Sequence, residues 1–437
     1  MPPSSDGLKK PNGDDNDDDT PKPKPRSERG NSGKNPGGQK GRKGSTLKKV
    51  DKPDAFEAHK LDRCPKSGVR LTDNDIVGSI KRQVYDTPAP RMIVTEHEAF
   101  TYKNPKTGEL IQAPFPEGVK APTQYGPNLK SLLVYLGDWH FIPNDRLVQL
   151  IADLFGNRIS PATIEAARKS CYSNLEDFVQ RVHDLIRGSS VAHADETGFR
   201  VKKKLHWLHV ACTQTVTKYY VHEKRGAEAM DDAEIWVGFN GRLIHDCWRT
   251  YFGYDCDHGL CNAHVIRELR YVHEQLGQDW AKKMIDLLYE MKKEADKRYQ
   301  SGKWFSEGEM KSYARRFGIF LTKGENQNPF KPPSIKKRGP PKRTKAQNLL
   351  HRMRKYGNDF LAFLNDPNIP FTNNLAEQDV RMMKVQQKIS GCFRTLTGAK
   401  VFARIRSYLS TLRKNEQDIL AGIRSAIAGR AFLPQMT

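Results

Sequence analysis

The sequence lacks any long apolar run. Hydrophobic residues make up 37% of its 437 residues, and no window approaches the roughly 18 consecutive apolar residues that a membrane-spanning helix requires. The opening stretch, MPPSSDGLKKPNGDD, has no apolar segment of the kind that a secretory signal needs. We therefore expect no membrane-spanning helix, no secretion and a cytoplasmic location.

Cysteine is scarce. The chain has seven cysteines at irregular spacing, namely Cys64, Cys171, Cys212, Cys247, Cys256, Cys261 and Cys392. An odd number without regular spacing does not form a disulfide framework. This usage indicates a reducing compartment.

Acidic residues are the minority charge. Lys and Arg number 73 against 51 Asp and Glu, which gives a formal net charge of +22. An excess of this size predicts a polyanionic partner, with nucleic acid as the first choice and an anionic membrane surface as the second.

The first 120 residues divide into two segments. Residues 1–52 have low complexity and few apolar side chains, so we predict a disordered basic arm that either solubilises the protein or contacts phosphates. Residues 53–120 contain CPKSG and NPKTG, each in the form of a Cys-Pro-x-Cys-Gly zinc knuckle. We predict a β-rich, knuckle-like region without zinc, because Ser67, Asn104 and Thr107 stand at three of the four cysteine positions.

Residues 121–188 have helical patterns. RLVQLIADLFG has helical apolar spacing and ends at Gly156, while ISPATIEAARKS offers Ser160 as N-cap and Pro161 at the first helical position. A helix, a turn and a capped second helix are typical of a DNA-binding helix-turn-helix. An ordinary helical hairpin has the same outline.

From residue 189 the pattern changes to strands. SSVAHADETGF predicts a strand that ends in Asp195 and Glu196, and RLIHD predicts another that ends at Asp246. LHWLHVACTQ, TKYYVHE and HGLCNAH predict three more strands, and GAEAMDDAEI a helix. This order, followed by a distant acid on a helix, Glu377, predicts an α/β core of RNase H-like type, with a mixed sheet flanked by helices.

This core is interrupted in the sequence. We place its first part at 189–265 and its C-terminal helices at 366–437. Between them, residues 266–365 predict a helical insertion that carries the basic, Pro-rich loop KPPSIKKRGPPKRTK.

The three acids have the chemistry of a metal-dependent phosphodiester site. Cleavage and strand transfer at phosphodiesters use two divalent cations about 4 Å apart, and Mg²⁺ prefers carboxylate oxygens and water. We therefore predict that Asp195, Asp246 and Glu377 are catalytic residues that bind Mg²⁺ or Mn²⁺. Asp195 and Asp246 could instead be turn residues, and Asp255 and Asp257 compete with Asp246.

The third acid lies on a distinctive stripe. In PFTNNLAEQDVRMMKVQQKI, the residues Glu377, Arg381, Lys384 and Lys388 follow one another at spacings of four, three and four, which places them on one face of a helix. We predict that the three basic residues contact DNA. The alternatives are a variant capping box of Asn374 with Glu377 and ordinary ion pairs along a solvated helix.

Cys261 and His264 form a Cys-x-x-His pair. Two ligands do not make a zinc site, and Cys256 and His258 are only loosely placed as further candidates. We therefore predict a structural motif that acts by packing or local hydrogen bonds.

Taken together, these motifs resemble those of the bacterial DDE transposases of the insertion-sequence sixty-six family. The resemblance is carried by PGGQKGRKGSTL, by YGPNLKSLLVYLGDWHFIPNDRLVQLIADLFGNRISPATI, by HADETGFRV with the first acid, by LIHDCWRTYF with the second and by CNAHVIREL with the Cys-x-x-His motif. Its most specific part is IPFTNNLAEQDVRMMKVQQKISGCFRTLTGAKVFARIRSYLSTLRK, which places Glu377 as the third acid. The chain departs from the family in its missing knuckle cysteines and in having no N-terminal leucine-rich coiled coil.

The resemblance implies a bacterial, nucleoid-associated DNA transposase. Such an enzyme cleaves phosphodiester bonds at the ends of its element and joins the freed 3′-hydroxyls to target DNA. The implied partners are terminal repeats, target DNA, further copies of the chain on paired DNA ends and accessory proteins of the same element, with no membrane. Two alternatives remain: a catalytically decayed DNA-binding protein, and a structure-specific nuclease on the same fold.

Overall fold

A computed structural model describes residues 47–330 and 342–435. It divides the chain into two compact units, one ending at Pro90 and the other beginning at Arg91. Within residues 47–330 and 342–435, no helix is long and apolar enough to span a bilayer.

The described part of the first unit is dominated by turns. CPKSG forms one of them, in which the Gly68 amide donates to the Cys64 carbonyl at 2.9 Å and the Cys64 amide donates to the Val69 carbonyl at 2.9 Å. Gly68 has a φ of 70°, which glycine adopts without the steric penalty of a Cβ. A single 3₁₀ turn follows at Asp73–Asp75.

The second knuckle-like stretch forms a small hairpin in the second unit. Strands β1 (Thr101–Lys103) and β2 (Leu110–Gln112) pair antiparallel around NPKTG. Residues 53–120 contain less strand than the predicted β-rich region, because none of their side chains is buried and no apolar face exists to hold a larger sheet.

The helices of the second unit fall into three groups. Before the main sheet lie α1 (Pro127–Val134), a π-helical turn (Tyr135–Trp139), α2 (Asn144–Phe155), α3 (Pro161–Ser173) and α4 (Glu176–Arg187). Within and after the sheet lie α5 (Ala227–Asp232), α6 (Asn262–Leu276), α7 (Asp279–Gln300), α8 (Glu307–Gln327), α9 (Lys345–Lys355) and α10 (Gly357–Phe360), with 3₁₀ turns at Arg249–Gly253 and Ala362–Leu364. The last group is α11 (Asn374–Ser390), α12 (Leu396–Lys414) and α13 (Ile419–Ile427).

Five strands form the main sheet. They are β3 (Val191–Val201), β4 (Lys204–Cys212), β5 (Thr217–His222), β6 (Arg242–His245) and β7 (Asp257–Leu260). The order across the sheet is β5-β4-β3-β6-β7. The first three strands form an antiparallel meander, whereas β3, β6 and β7 run parallel. The mixed sheet and its predicted strands are therefore confirmed, and β3 is longer than predicted.

The extra length of β3 comes from its antiparallel partner. The strand was predicted to end at Asp195 and Glu196, but it continues to Val201 because β4 pairs with it from His193 to Val201. Its parallel pairing with β6 ends at His193. Asp195 therefore lies beyond the parallel ladder but inside the antiparallel one.

The predicted caps of the helical region are confirmed. Helix α2 ends at Gly156, whose φ of 70° is left-handed, and the Ser160 hydroxyl accepts from the Thr163 amide at 3.2 Å ahead of Pro161. Helix α3 buries Ile164 in a core that α12 and α13 share.

The predicted helical insertion corresponds to α6–α10. These helices share a core with Ile244 of β6 and Leu260 of β7. Most of the basic loop KPPSIKKRGPPKRTK lies outside the described residues, as does most of the predicted N-terminal arm.

Helices α11 and α12 close one side of the sheet. Helix α11 packs on β3 and β4, and α12 packs on β5. Phe199 and Val201 of β3 are buried together with Ala376 and Val380 of α11. This packing carries the first turn of α11 to the middle of β3, where Asp195 lies.

Candidate active site

The register of two parallel strands places the first two acids side by side. The parallel ladder of β3 and β6 ends where His193 is level with Ile244, and each acid follows two residues later on its own segment. The two side chains are close enough for the charge of Asp246 to raise the pKa of Asp195. The sequence alone does not predict which residues of β3 and β6 pair with each other.

The second acid follows directly after β6 in a sharp turn. The Asp246 carboxylate accepts from the Trp248 amide at 3.0 Å. Between them Cys247 has a φ of 73°, a left-handed conformation that is unfavourable for a residue with a Cβ. Its competitor Asp257 pairs with Arg242 at the opposite end of β6, 2.7 Å from the guanidinium, and so does not belong to this site.

Asn373 joins the third acid to the first. Its side chain is fully buried: Nδ2 donates to the Ala194 carbonyl at 2.8 Å, and Oδ1 accepts from His193 Nδ1 at 2.9 Å. Asn373 is also the N-cap residue of α11, and its carbonyl accepts from the Glu377 amide at 3.1 Å. One buried amide thus fixes the start of α11 against the strand that carries Asp195.

The capping-box interpretation of this helix start is wrong. Asn373, not Asn374, is the N-cap residue, and its side chain makes no capping hydrogen bond. Its amide is used instead to bridge α11 and β3. The Glu377 side chain is therefore not engaged in a capping box.

The surroundings of Asp195 oppose its ionisation. Burial raises the pKa of Asp195 to about 8, helped by the negative charges of Glu196, Asp246 and Glu377. Carboxylates that share a confined site resist ionisation. A donor set of this kind fits a hard divalent cation, which would relieve the repulsion.

Glu196 points away from this group. Because it is the neighbour of Asp195 on a strand, its side chain lies on the other face of the sheet. Arg225 donates to its carboxylate at 2.6 and 2.9 Å, and the Tyr251 hydroxyl donates at 2.6 Å. The Arg225 guanidinium in turn lies over the ring of Trp248 at 4.3 Å.

The sequence did not reveal this network. It marked Glu196 only as a second strand-end acid, and no signal linked it to Arg225. Alternation along β3 could have separated the roles of Asp195 and Glu196, had the strand been predicted to continue past them.

A second group of side chains surrounds Glu377. The Cys261 thiol lies 3.6 Å from Oε1, His264 Nδ1 lies 3.6 Å from the same oxygen, and Arg267 Nη2 lies 3.9 Å from Oε2. The sequence identified Cys261 and His264 as a pair. The structure adds Glu377 as a neighbour of both.

The basic residues of α11 continue the stripe that begins at Glu377. Arg381, Lys384 and Lys388 are exposed. Although the Lys384 residue as a whole is exposed, its ammonium donates to the Gly198 carbonyl of β3, and partial burial there lowers its pKa. The basic stripe of α11 therefore begins next to Glu377 and reaches the part of β3 that follows Asp195.

A model of the IS66 transposase family matches residues 122–401. The chain belongs to the IS66 transposase family. The match begins before α1 and ends within α12, so it includes all three acids, the helical insertion and the stripe on α11. Membership of a transposase family implies an enzyme that cleaves and transfers nucleic acid, with DNA as its partner. No curated protein is significantly similar to the chain.

Proposed function

We propose that this IS66-family chain is a DDE-type DNA transposase of a bacterial insertion sequence. It would cleave phosphodiester bonds at the ends of its element and join the 3′-hydroxyls to target DNA. The observation that supports the proposal is that the charges of Asp246 and Glu377 both act on the buried Asp195, on a strand to which Asn373 fastens the start of α11.

The sheet supports an RNase H-like core. β3, β4 and β5 form an antiparallel meander, and β6 and β7 run parallel to β3. This is the arrangement that the predicted order of strands, helix and acids requires of such a core. Asp195 and Asp246 come from neighbouring parallel strands, and Asn373 fastens the helix that carries Glu377 to the first of them.

The acids would hold Mg²⁺ or Mn²⁺. When bound, such ions activate the attacking hydroxyl and stabilise the leaving oxygen. Asp195 would supply a carboxylate oxygen from β3, and Asp246 would supply one from the turn that directly follows β6. Glu377 supplies a third carboxylate from a helix start, a position that favours an anion.

DNA would lie along α11. Arg381 and Lys388 are exposed cations on the same helix as Glu377, and Lys384 is held at the edge of the site by Gly198. Contacts of this kind position the phosphate backbone without reading its sequence. Recognition of the terminal repeats would fall to α2 and α3, and assembly would place further copies of the chain on paired ends.

A strand-transfer assay tests the proposal. Purified protein is incubated with a labelled duplex of the element end, a supercoiled plasmid and Mg²⁺, and Glu377→Gln is compared with Glu274→Gln, an exposed glutamate on α6. We expect joined product from the wild type and from Glu274→Gln, and none from Glu377→Gln.

The other outcomes identify the alternatives. Cleavage without joining would indicate a structure-specific nuclease. Binding of the duplex without cleavage would indicate a DNA-binding protein that has lost catalysis. Full activity of Glu377→Gln would refute the assignment of the third acid.

A further inference from the structure

Three different ligand atoms converge near the start of α6. Cys261 is the N-cap residue of this helix and His264 lies in its first turn. The Cys261 sulfur, a His264 ring nitrogen and a Glu377 oxygen all lie within 4.8 Å of one another. Thiolate, imidazole and carboxylate are the three ligand types that Zn²⁺ takes in proteins.

Two of the three ligand-to-ligand distances fit a tetrahedral ion, and the third, from the Cys261 sulfur to the His264 ring, is within 4.8 Å. Zinc bonds of about 2.3 Å to sulfur and about 2.0–2.2 Å to nitrogen and oxygen give ligand-to-ligand edges of about 3.4–3.6 Å. Glu377 Oε1 lies 3.6 Å from Cys261 Sγ and 3.6 Å from His264 Nδ1. An ion could therefore enter with small shifts of three side chains.

The surroundings of the ligands support binding. His264 Nδ1 is buried and has no hydrogen-bond partner among the described residues, although it faces Glu377. The Asn373 amide donates to Cys261 Sγ at 3.1 Å, the type of outer contact that orients a metal ligand. The His264 side chain is 32% exposed, which leaves an approach for a water molecule as fourth ligand.

We propose that Cys261, His264 and Glu377 form a transition-metal site that takes Zn²⁺ or a similar borderline ion. Such an ion prefers sulfur and nitrogen, whereas Mg²⁺ prefers oxygen alone. The site is thus chemically distinct from the three-carboxylate group, yet the two share Glu377.

The shared glutamate gives the site a regulatory consequence, which rests on the proposed function. An ion held by Cys261 and His264 draws on the Glu377 carboxylate that the catalytic group also requires. Zinc therefore inhibits strand transfer by taking away the third acid.

Cobalt titration tests binding without reference to activity. Co²⁺ is added to the reduced full-length protein, and the near-ultraviolet thiolate-to-cobalt absorption and the visible bands of tetrahedral cobalt are recorded. We expect both in the wild type, and we expect added Zn²⁺ to abolish them. Cys392→Ser, which removes an exposed cysteine, is the matched control and keeps the spectrum.

Variants of the site complete the test. Cys261→Ser loses the thiolate band. His264→Gln keeps the thiol but removes a direct ligand, so it lowers cobalt affinity at least as much as the loss of an outer partner does, which is about 10- to 100-fold. Circular dichroism shows whether each variant is folded. A wild type without tetrahedral cobalt bands, or a thiolate band that survives in folded Cys261→Ser, would overturn the site.

The inhibitory role has a separate readout. Strand transfer is measured with and without Zn²⁺ at constant Mg²⁺, and the ratio is compared within each variant. We expect zinc to inhibit the wild type and Cys392→Ser far more than His264→Gln. Cobalt binding without zinc inhibition would retain the site and refute its regulatory role, whereas a wild type inactive in Mg²⁺ would refute the proposed function and leave the cobalt result standing.

Discussion

Asp195 is a carboxyl group in surroundings that oppose its charge. Burial and three neighbouring carboxylates raise its pKa to about 8, from 3.8 for an unperturbed group. Between about pH 4 and pH 8 the folded chain therefore binds more protons than the unfolded chain. The free energy of unfolding falls as the pH rises through this window.

Asp195→Asn should consequently stabilise the metal-free protein. In EDTA at pH 8 we expect the melting temperature to rise by a few degrees, since about 1 kcal/mol shifts it by roughly 2–4 °C in domains of 150–250 residues. The gain should shrink towards pH 4, where the carboxyl group keeps its proton in both states. Differential scanning calorimetry measures the gain, with Asp177→Asn, at an exposed position on α4, as control.

Added Mg²⁺ provides the second comparison. Because a divalent cation neutralises the wild-type carboxylates, it should raise the melting temperature of the wild type more than that of Asp195→Asn. Equal responses of the two proteins to Mg²⁺ would contradict a metal-binding role for Asp195.

At the scale of elements, the attachment of α11 to β3 depends on one side chain. Asn373→Ala would leave the Ala194 carbonyl and the His193 ring nitrogen buried without partners. Each such group costs about 1–3 kcal/mol. We expect a loss of roughly 2–6 kcal/mol in the free energy of unfolding, measured by urea denaturation.

The neighbouring residue is a natural control. Asn374 is exposed at the first position of the helix, and Asn374→Ala should change stability little. On the proposed function Asn373 positions Glu377, so Asn373→Ala should also reduce strand transfer under conditions where the variant is folded. Equal free energies of unfolding for Asn373→Ala and Asn374→Ala would show that the hydrogen bonds of Asn373 to β3 do not stabilise the fold.

The sequence predicted which helices and strands form better than it predicted where the strands end. Alternation and turn residues located β3 to β7, and Ser160 and Gly156 marked helix ends correctly. The end of β3 was misplaced because Asp195 and Glu196 look like a strand end locally, whereas pairing with β4 carries the strand to Val201. Pairing partners are a tertiary property, and periodicity within one strand does not report them.

The same limit applied to the candidate site. The three acids and the Cys-x-x-His pair were recognisable by residue type and order. The contact of Cys261 and His264 with Glu377 depends on how α6 and α11 approach each other, which no spacing encodes. Arg225 was not predicted as the partner of Glu196, because no motif in the sequence around Arg225 indicates that pairing.

At the scale of the whole molecule, the net charge of +22 predicts salt-sensitive binding to DNA. The salt dependence should come from the basic residues that contact phosphates, and not from basic residues elsewhere on the surface. Arg381→Gln on α11 should lower the slope of log affinity against log salt by about 1. Lys311→Gln removes an equal charge from α8, where the ammonium is paired with Glu307 at 2.6 Å, and should leave the slope unchanged.

Fluorescence anisotropy with a labelled duplex at several salt concentrations measures both slopes. A lower slope in both variants would mean that DNA affinity depends on the total charge of the protein and not on the position of Arg381. An unchanged slope in Arg381→Gln would place the DNA away from α11.

The helical insertion separates the acids widely along the chain, and this has a consequence during synthesis. A ribosome completes Asp195 and Asp246 long before it reaches Glu377, and α12, which packs against β5, follows later still. A partly translated chain therefore carries two acids without the third. If the proposed function holds, a chain that is still being synthesised would lack the complete catalytic group, and cleavage would begin only after Glu377 and α12 are in place.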